Sequence, residues 1–140
     1  MVLRKNTLCH NDEFNEDLKN SDDRLFWILF SKNHHGVFIN KILHKYRVQL
    51  SGISNQGFLR LGPSRIKALQ IIRSDCDDVS LISSIEKQLS KNYASMAYAY
   101  KYVGDVNNQS IYAKKSLMLA LNYWAIKLYI HAKIRRLLGR

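Results

Sequence analysis

Residues 93–121 read YASMAYAYKYVGDVNNQSIYAKKSLMLAL, and this stretch decides the fold. Tyr93, Ala97 and Tyr100 recur at helical spacing, and with the small residues between them they make one face of a helix. Gly104-Asp105 is the stop, and the run from Ile111 to Leu121 turns back along the first helix. The result is a helical hairpin. A final helix is expected from about Tyr123 to Leu138. Upstream, Leu81, Ile82, Ile85 and Leu89 carry the helical period from Val79, and Ser74 to Asp78 forms a break. Before that break Ile66, Leu69, Ile71 and Ile72 predict another helix, with Pro63 placed as its first residue.

The spacing of small residues, tyrosines, Gly104-Asp105 and Ala113-Lys114-Lys115-Ser116-Leu117 resembles one tetratricopeptide-type unit, in which two helices approach closely. Only one such unit is present, which excludes a solenoid. The amino-terminal residues 1–62 read differently. Asn20 or Ser21 can cap a helix whose first turn holds Asp22 and Asp23, where carboxylates are favoured. Leu25, Phe26, Trp27, Ile28, Leu29 and Phe30 are apolar all round, which predicts a buried helix ending between Asn33 and Gly36. Val37 to Ile39 is expected as a short strand, Ile42 to Val48 as a second extended stretch, and residues 51–62 as a loop with Gly52, Gly57 and Gly62. The expected class is mainly α with a small α+β amino-terminal part, divided into residues 1–62 and a helical tail over 63–140.

The chain of 140 residues is one domain or a large piece of one. Eight Tyr, five Phe and two Trp exclude a disordered tail, and a single proline excludes collagen-like classes. Two cysteines, Cys9 and Cys76, cannot build a disulfide scaffold, so a reducing, cytoplasmic compartment is expected. The opening residues have no apolar core before their acidic cluster, so no secretory signal is expected. The longest apolar window, Leu117 to Ile126, is about half of the roughly 20 residues that a spanning helix needs. The net charge of +11 is uneven: 22 bases face 11 acids, and no acid follows Asp105. Such a stretch attracts polyanions, either nucleic acid or the acidic face of a membrane.

The segment Phe14 to Ser54 carries an ordered set of motifs. It runs F-N-E-D-L-K-N-S-D-D-R-L-F-W over residues 14–27, then a short expected strand, then Y-R-V-Q-L-S-G-I-S over 46–54. This order resembles the second half of the catalytic domain of inverting glycosyltransferases of family two, of the GT-A type, and the helical tail resembles what many members carry. The resemblance implies transfer of a sugar from a nucleotide-sugar to a glycan or lipid-linked acceptor in cell-surface polysaccharide synthesis. By position Asp23 takes the general base, a carboxylate that makes the acceptor hydroxyl nucleophilic, and Asp22 its acidic neighbour. The alternative is that both aspartates serve only the helix dipole. Trp27 is a core residue or lies near the acceptor. Tyr46-Arg47 positions phosphate through the guanidinium fork or leaves Arg47 as a surface ion-pair partner.

The sequence departs from that pattern at several points. Asp12-Glu13 stand where the family has paired glycines, Leu25 where it has an acid, Leu29 where it often has Arg, and Gln49 where it has His. Only thirteen residues precede Phe14, so the nucleotide-binding half with its D-x-D is expected to be supplied elsewhere. No cofactor is expected in this chain, and a divalent cation only with that missing half. The one D-x-D, Asp75-Cys76-Asp77, reads as caps of a turn between helices, and His10, His34, His35 and His44 as solvated residues without zinc-site spacing. The competing class is a small basic helical module binding nucleic acid or a partner protein. Tyr93, Tyr98, Tyr100, Tyr102 and Tyr112 near lysines permit base stacking, but at helical spacing they read as packing residues, and no nucleic-acid motif is present. Expected partners are therefore the nucleotide-binding half, or a homologous glycosyltransferase, and an anionic membrane surface.

The membrane expectation rests on Leu117, Leu121, Trp124 and Leu128, taken as one apolar stripe beside Lys127, Lys133, Arg135, Arg136 and Arg140. A stripe with Trp and a basic end is the pattern of a helix lying in a membrane interface. It is equally the pattern of a helix that covers the preceding hairpin.

Overall fold

The computed structural model describes residues 7–8, 13–45 and 57–139. Five helices follow in order: α1 (Asp22–Ser31), α2 (Phe58–Ser74), α3 (Val79–Tyr102), α4 (Val106–Leu119) and α5 (Tyr123–Leu137). There is no strand among the described residues. No helix among them is long and apolar enough to cross a membrane.

The long helix α3 is the spine. It packs against α2 on one side and α4 on the other, α5 closes over α3 and α4, and α1 rests on α2. The caps are those the sequence chemistry favours. Asp78 accepts from the Ser80 and Leu81 amides (2.7 and 3.2 Å), Asp105 from the Asn108 amide (2.9 Å), and Asn122 from the Trp124 and Ala125 amides (3.1 and 3.4 Å). The hairpin turn needs a left-handed residue, and Gly104 supplies it at φ 78°.

Small residues set the spacing of the last three helices. Ala97 on α3 and Ala113 on α4 have no exposed surface and meet the buried Leu128 of α5. The α3–α4 seam is also tied by hydroxyls. Ser90 Oγ lies 2.9 Å from Ser116 Oγ and 3.0 Å from Ser116 O, and Ser116 Oγ donates to Ser90 O at 2.7 Å. Gln109, fully buried, donates through Nε2 to Leu128 O at 2.7 Å, and its Oε1 has no partner. The main apolar core lies between α2 and α3, where Ile66, Leu69, Leu89, Tyr93 and Met96 are buried together.

Three expectations about the amino-terminal part are corrected. The first concerns α1, which is not buried all round. Only Leu25 and Phe26 are buried, Leu25 together with Leu18 and Ala68, and Trp27 to Phe30 are half-buried because, among the described residues, α1 packs chiefly on the single helix α2. The second concerns Val37 to Ile39, which has no regular secondary structure and whose Ile39 carbonyl accepts from the Lys41 amide at 2.9 Å. A strand exists only where a neighbouring backbone accepts and donates its ladder, and no such neighbour is among the described residues. The same holds for 42–45, while 46–56 lie outside the described residues. The third concerns the start of α2, which comes at Phe58, five residues before Pro63, so the helix crosses the division at 62/63. Phe58 packs onto the main core, Leu61 is buried, and Gly62 is so close that an added Cβ would lie 2.7 Å from Phe58 Cε1. That burial outweighs the hydrogen bond to Leu59 O that proline cannot donate.

Candidate functional site

The acidic pair opens α1. Ser21 occupies the N-cap position with φ 68°, but its hydroxyl donates to Asn20 Oδ1 (3.2 Å) and does not cap the helix. Asp22 is half-exposed and Asp23 exposed, both in the first turn. Asp23 Oδ1 accepts from the Arg24 amide at 2.7 Å, which turns the carboxylate back onto the helix end.

Behind the pair runs an aromatic column that the linear pattern only half reveals. Phe14 stacks on Phe26 (centroids 4.6 Å, 21°), Phe26 on Phe30 (5.7 Å, 15°), and Phe30 meets the His34 ring at 3.9 Å. Trp27 stands edge-on to both Phe26 (5.1 Å) and Phe30 (6.3 Å), so its indole belongs to this column. The four-residue steps of Phe26, Phe30 and His34 were the available signal; Phe14 joins them only through tertiary packing. Tyr46 and Arg47, expected beside Asp23, lie outside the described residues. Neither of the two grooves described next is lined by Asp22, Asp23 or Trp27.

The larger groove, of about 1150 Å³, lies between α3 and the α4–α5 turn. Ala94, Tyr98, Leu121, Tyr123 and Trp124 give it an apolar lining, and Lys87 and Lys91 stand at its rim without an acidic lining residue. Lys127 lies over the Tyr123 and Trp124 rings at 4.6 and 5.9 Å. A smaller groove of about 360 Å³ runs between α1, α2 and α3, past Leu29, Ile72 and Cys76.

Asp75-Cys76-Asp77 occupies the α2–α3 turn, where Asp75 Oδ2 receives Lys32 Nζ at 2.6 Å. That contact, with a second from Lys32 to the Asp75 carbonyl, ties the end of α1 to the end of α2 and raises the Lys32 ammonium above its usual range. Among the described residues no group of three or more His, Cys, Asp or Glu could hold a metal ion. Of the tyrosines, Tyr93, Tyr100 and Tyr112 pack on one another at 5.3–6.1 Å, whereas Tyr98 and Tyr102 are exposed.

Comparison of the chain with protein-family models, with curated proteins and with solved structures finds no match.

Proposed function

We propose that the chain is the acceptor-side and carboxyl-terminal portion of an inverting glycosyltransferase, working with a nucleotide-binding half that this sequence does not contain. One observation carries the reading beyond the order of motifs. Beyond the acidic helix, from Val37 on, the chain is outside any helix and its large apolar side chains are uncovered: Phe38 is 88% and Ile42 95% exposed, with Val37 and Leu43 alike. Large apolar residues in that state call for a covering surface, and a segment outside any helix can be received at the edge of a sheet. In this assembly Asp23 is the general base that takes the proton of the acceptor hydroxyl as the oxygen attacks the anomeric carbon. The nucleoside diphosphate leaves on the opposite face, held by the other half. Asp22 adds negative charge at the same helix end, and Phe14 and Trp27 offer apolar faces to a sugar ring.

The test is reconstitution. The chain is co-expressed with the nucleotide-binding half of a family-two enzyme, and transfer from a labelled nucleotide-sugar is followed. Transfer should be detectable and fall roughly 100-fold or more in Asp23→Asn, with the helical circular dichroism unchanged. Equal transfer by the variant would remove the base from Asp23, and a complete lack of transfer would remove the reading. The chain alone should give no heat on titration with UDP and manganese.

A further inference from the structure

We infer that the outward face of α5 is a docking surface for an anionic bilayer. The inference is independent of the transferase reading, because it uses none of the residues around Asp23. The stripe expected from the sequence is not the one the fold presents. Leu117 belongs to α4, Leu121 to the turn, and Leu128 is buried on Ala97 and Ala113, so those residues do not share one free face.

Instead α5 is apolar on two sides. Ala125, Leu128 and Ala132 face inward and are buried. On the opposite side Tyr123, Ile130, Ile134 and Leu137 follow at seven-, four- and three-residue steps, one face of a helix. Ile130 is 51%, Ile134 50% and Leu137 86% exposed. A helix on the surface of a globular protein should carry polar residues on that side. Here its polar members are cationic. Lys127 stands among the outward residues with its ammonium over Tyr123, and Lys133 flanks them over Tyr129 at 5.6 Å.

Charge complementarity selects the occupant. From 106 to 139 the chain has no acid, so nothing on α4 or α5 neutralises these lysines. Among the described residues the face offers a ligand no hydrogen-bonding groups beyond the lysines and the Tyr123 hydroxyl. A nucleic acid would gain nothing from Ile130, Ile134 and Leu137. A planar, negatively charged lipid surface uses both features: the apolar side chains enter the acyl boundary and the lysines meet the headgroups. At 15 residues the helix lies roughly 22 Å along such a surface.

The experiment is co-sedimentation of the full chain with vesicles of phosphatidylcholine alone or mixed with phosphatidylglycerol. Binding should require phosphatidylglycerol and fall as salt rises. It should drop about fivefold for each of Lys127→Gln and Lys133→Gln, and at least tenfold in Ile130→Ser/Ile134→Ser. Equal binding to neutral vesicles, no binding to either kind, or a serine variant that binds like the parent would overturn the inference. A second readout does not depend on that variant folding. In a Trp27→Phe/Trp124→Phe/Ile130→Trp chain, the single indole on this face should shift its emission to the blue with anionic vesicles, and an unchanged spectrum would also overturn it.

Discussion

The seam of α3, α4 and α5 and the segment around α1 are both rich in apolar residues, yet they hold together by different means. In the seam the buried residues are small. Alanines and paired serine hydroxyls bring backbones close, and the buried Ser90, Ser116 and Gln109 each find a partner across the gap. Around α1 the residues are large and aromatic, stacked in a column on one side of a single helix, and the chain beyond it is uncovered. Apolar content therefore does not predict burial. What decides is whether a second element of matching shape lies within reach in the same chain.

The sharpest break of this comparison comes from the core beneath the seam. Met96 is 1% exposed among Ile66, Leu69, Leu89 and Tyr93. Met96→Ala should cost about 2–5 kcal/mol of unfolding free energy, read from urea denaturation. A loss under about 1 kcal/mol would mean that α2 and α3 are not packed as described. Next in size is the hydroxyl pair. Ser116→Ala removes a donor to Ser90 O and a partner of Ser90 Oγ in a buried place, and should cost about 1–2 kcal/mol. The corresponding change at the α1 cap, Ser21→Ala, should be nearly silent because that hydroxyl caps nothing.

Acid should weaken the helical tail in two stages. His131 lies 3.2 Å through Nδ1 from Gln109 Nε2, and burial, then Lys101 and Arg135, hold its pKa below the ordinary 6.5. The folded state thus binds fewer protons than the unfolded one, and stability falls as pH drops through about 6.5. Asp78 and Asp105 are held below the ordinary 3.8, the first by the Ser80 hydroxyl and then the Leu81 and Ser80 amides, the second by the Asn108 amide and side chain. Their contribution is present above that value and is lost as pH falls through the lower, folded one. Melting temperature against pH should show both steps. His131→Gln should remove the first and leave the second.

Most of the tail was legible because its signals are local. Gly104-Asp105, Asp78 and Asn122 mark helix ends by chemistry that needs no distant partner, and the tyrosine and alanine spacing of α3 shows its inner face. The start of α2 was not legible, since Phe58 and Leu61 are helical only through their fit to Met96 and its neighbours. Nor was the division of α5 into two apolar faces: the sequence shows that Leu128 and Ile130 are apolar, not which of them meets Ala97 and Ala113. At the candidate site the acidic pair and Trp27 fall where the helix pattern puts them. Tyr46 and Arg47 lie outside the described residues, His34 was legible from its four-residue step after Phe30, and Phe14 joined the aromatic column by packing that no linear spacing displays.

An effect nearly as small as that of Ser21→Ala is the one that sharpens the comparison most. Val37, Phe38 and Ile39 are outside any helix, exposed and without a ladder partner among the described residues, so in the chain alone they contribute little that folding could lose. Phe38→Ser/Ile39→Ser should therefore change the unfolding free energy, read from urea denaturation, by no more than about 0.5 kcal/mol, as surface substitutions generally do. If the segment is instead the edge on which a nucleotide-binding half docks, the same variant should lose association with that half in a pull-down and with it sugar transfer. Phe38→Leu/Ile39→Val, which keeps the apolar surface, should retain both. A serine variant that destabilises the isolated chain by 2 kcal/mol or more, on the scale of a buried residue, would mean that the segment already has its cover within this chain. The contrast between a finished helical tail and an unfinished amino-terminal part would then fail.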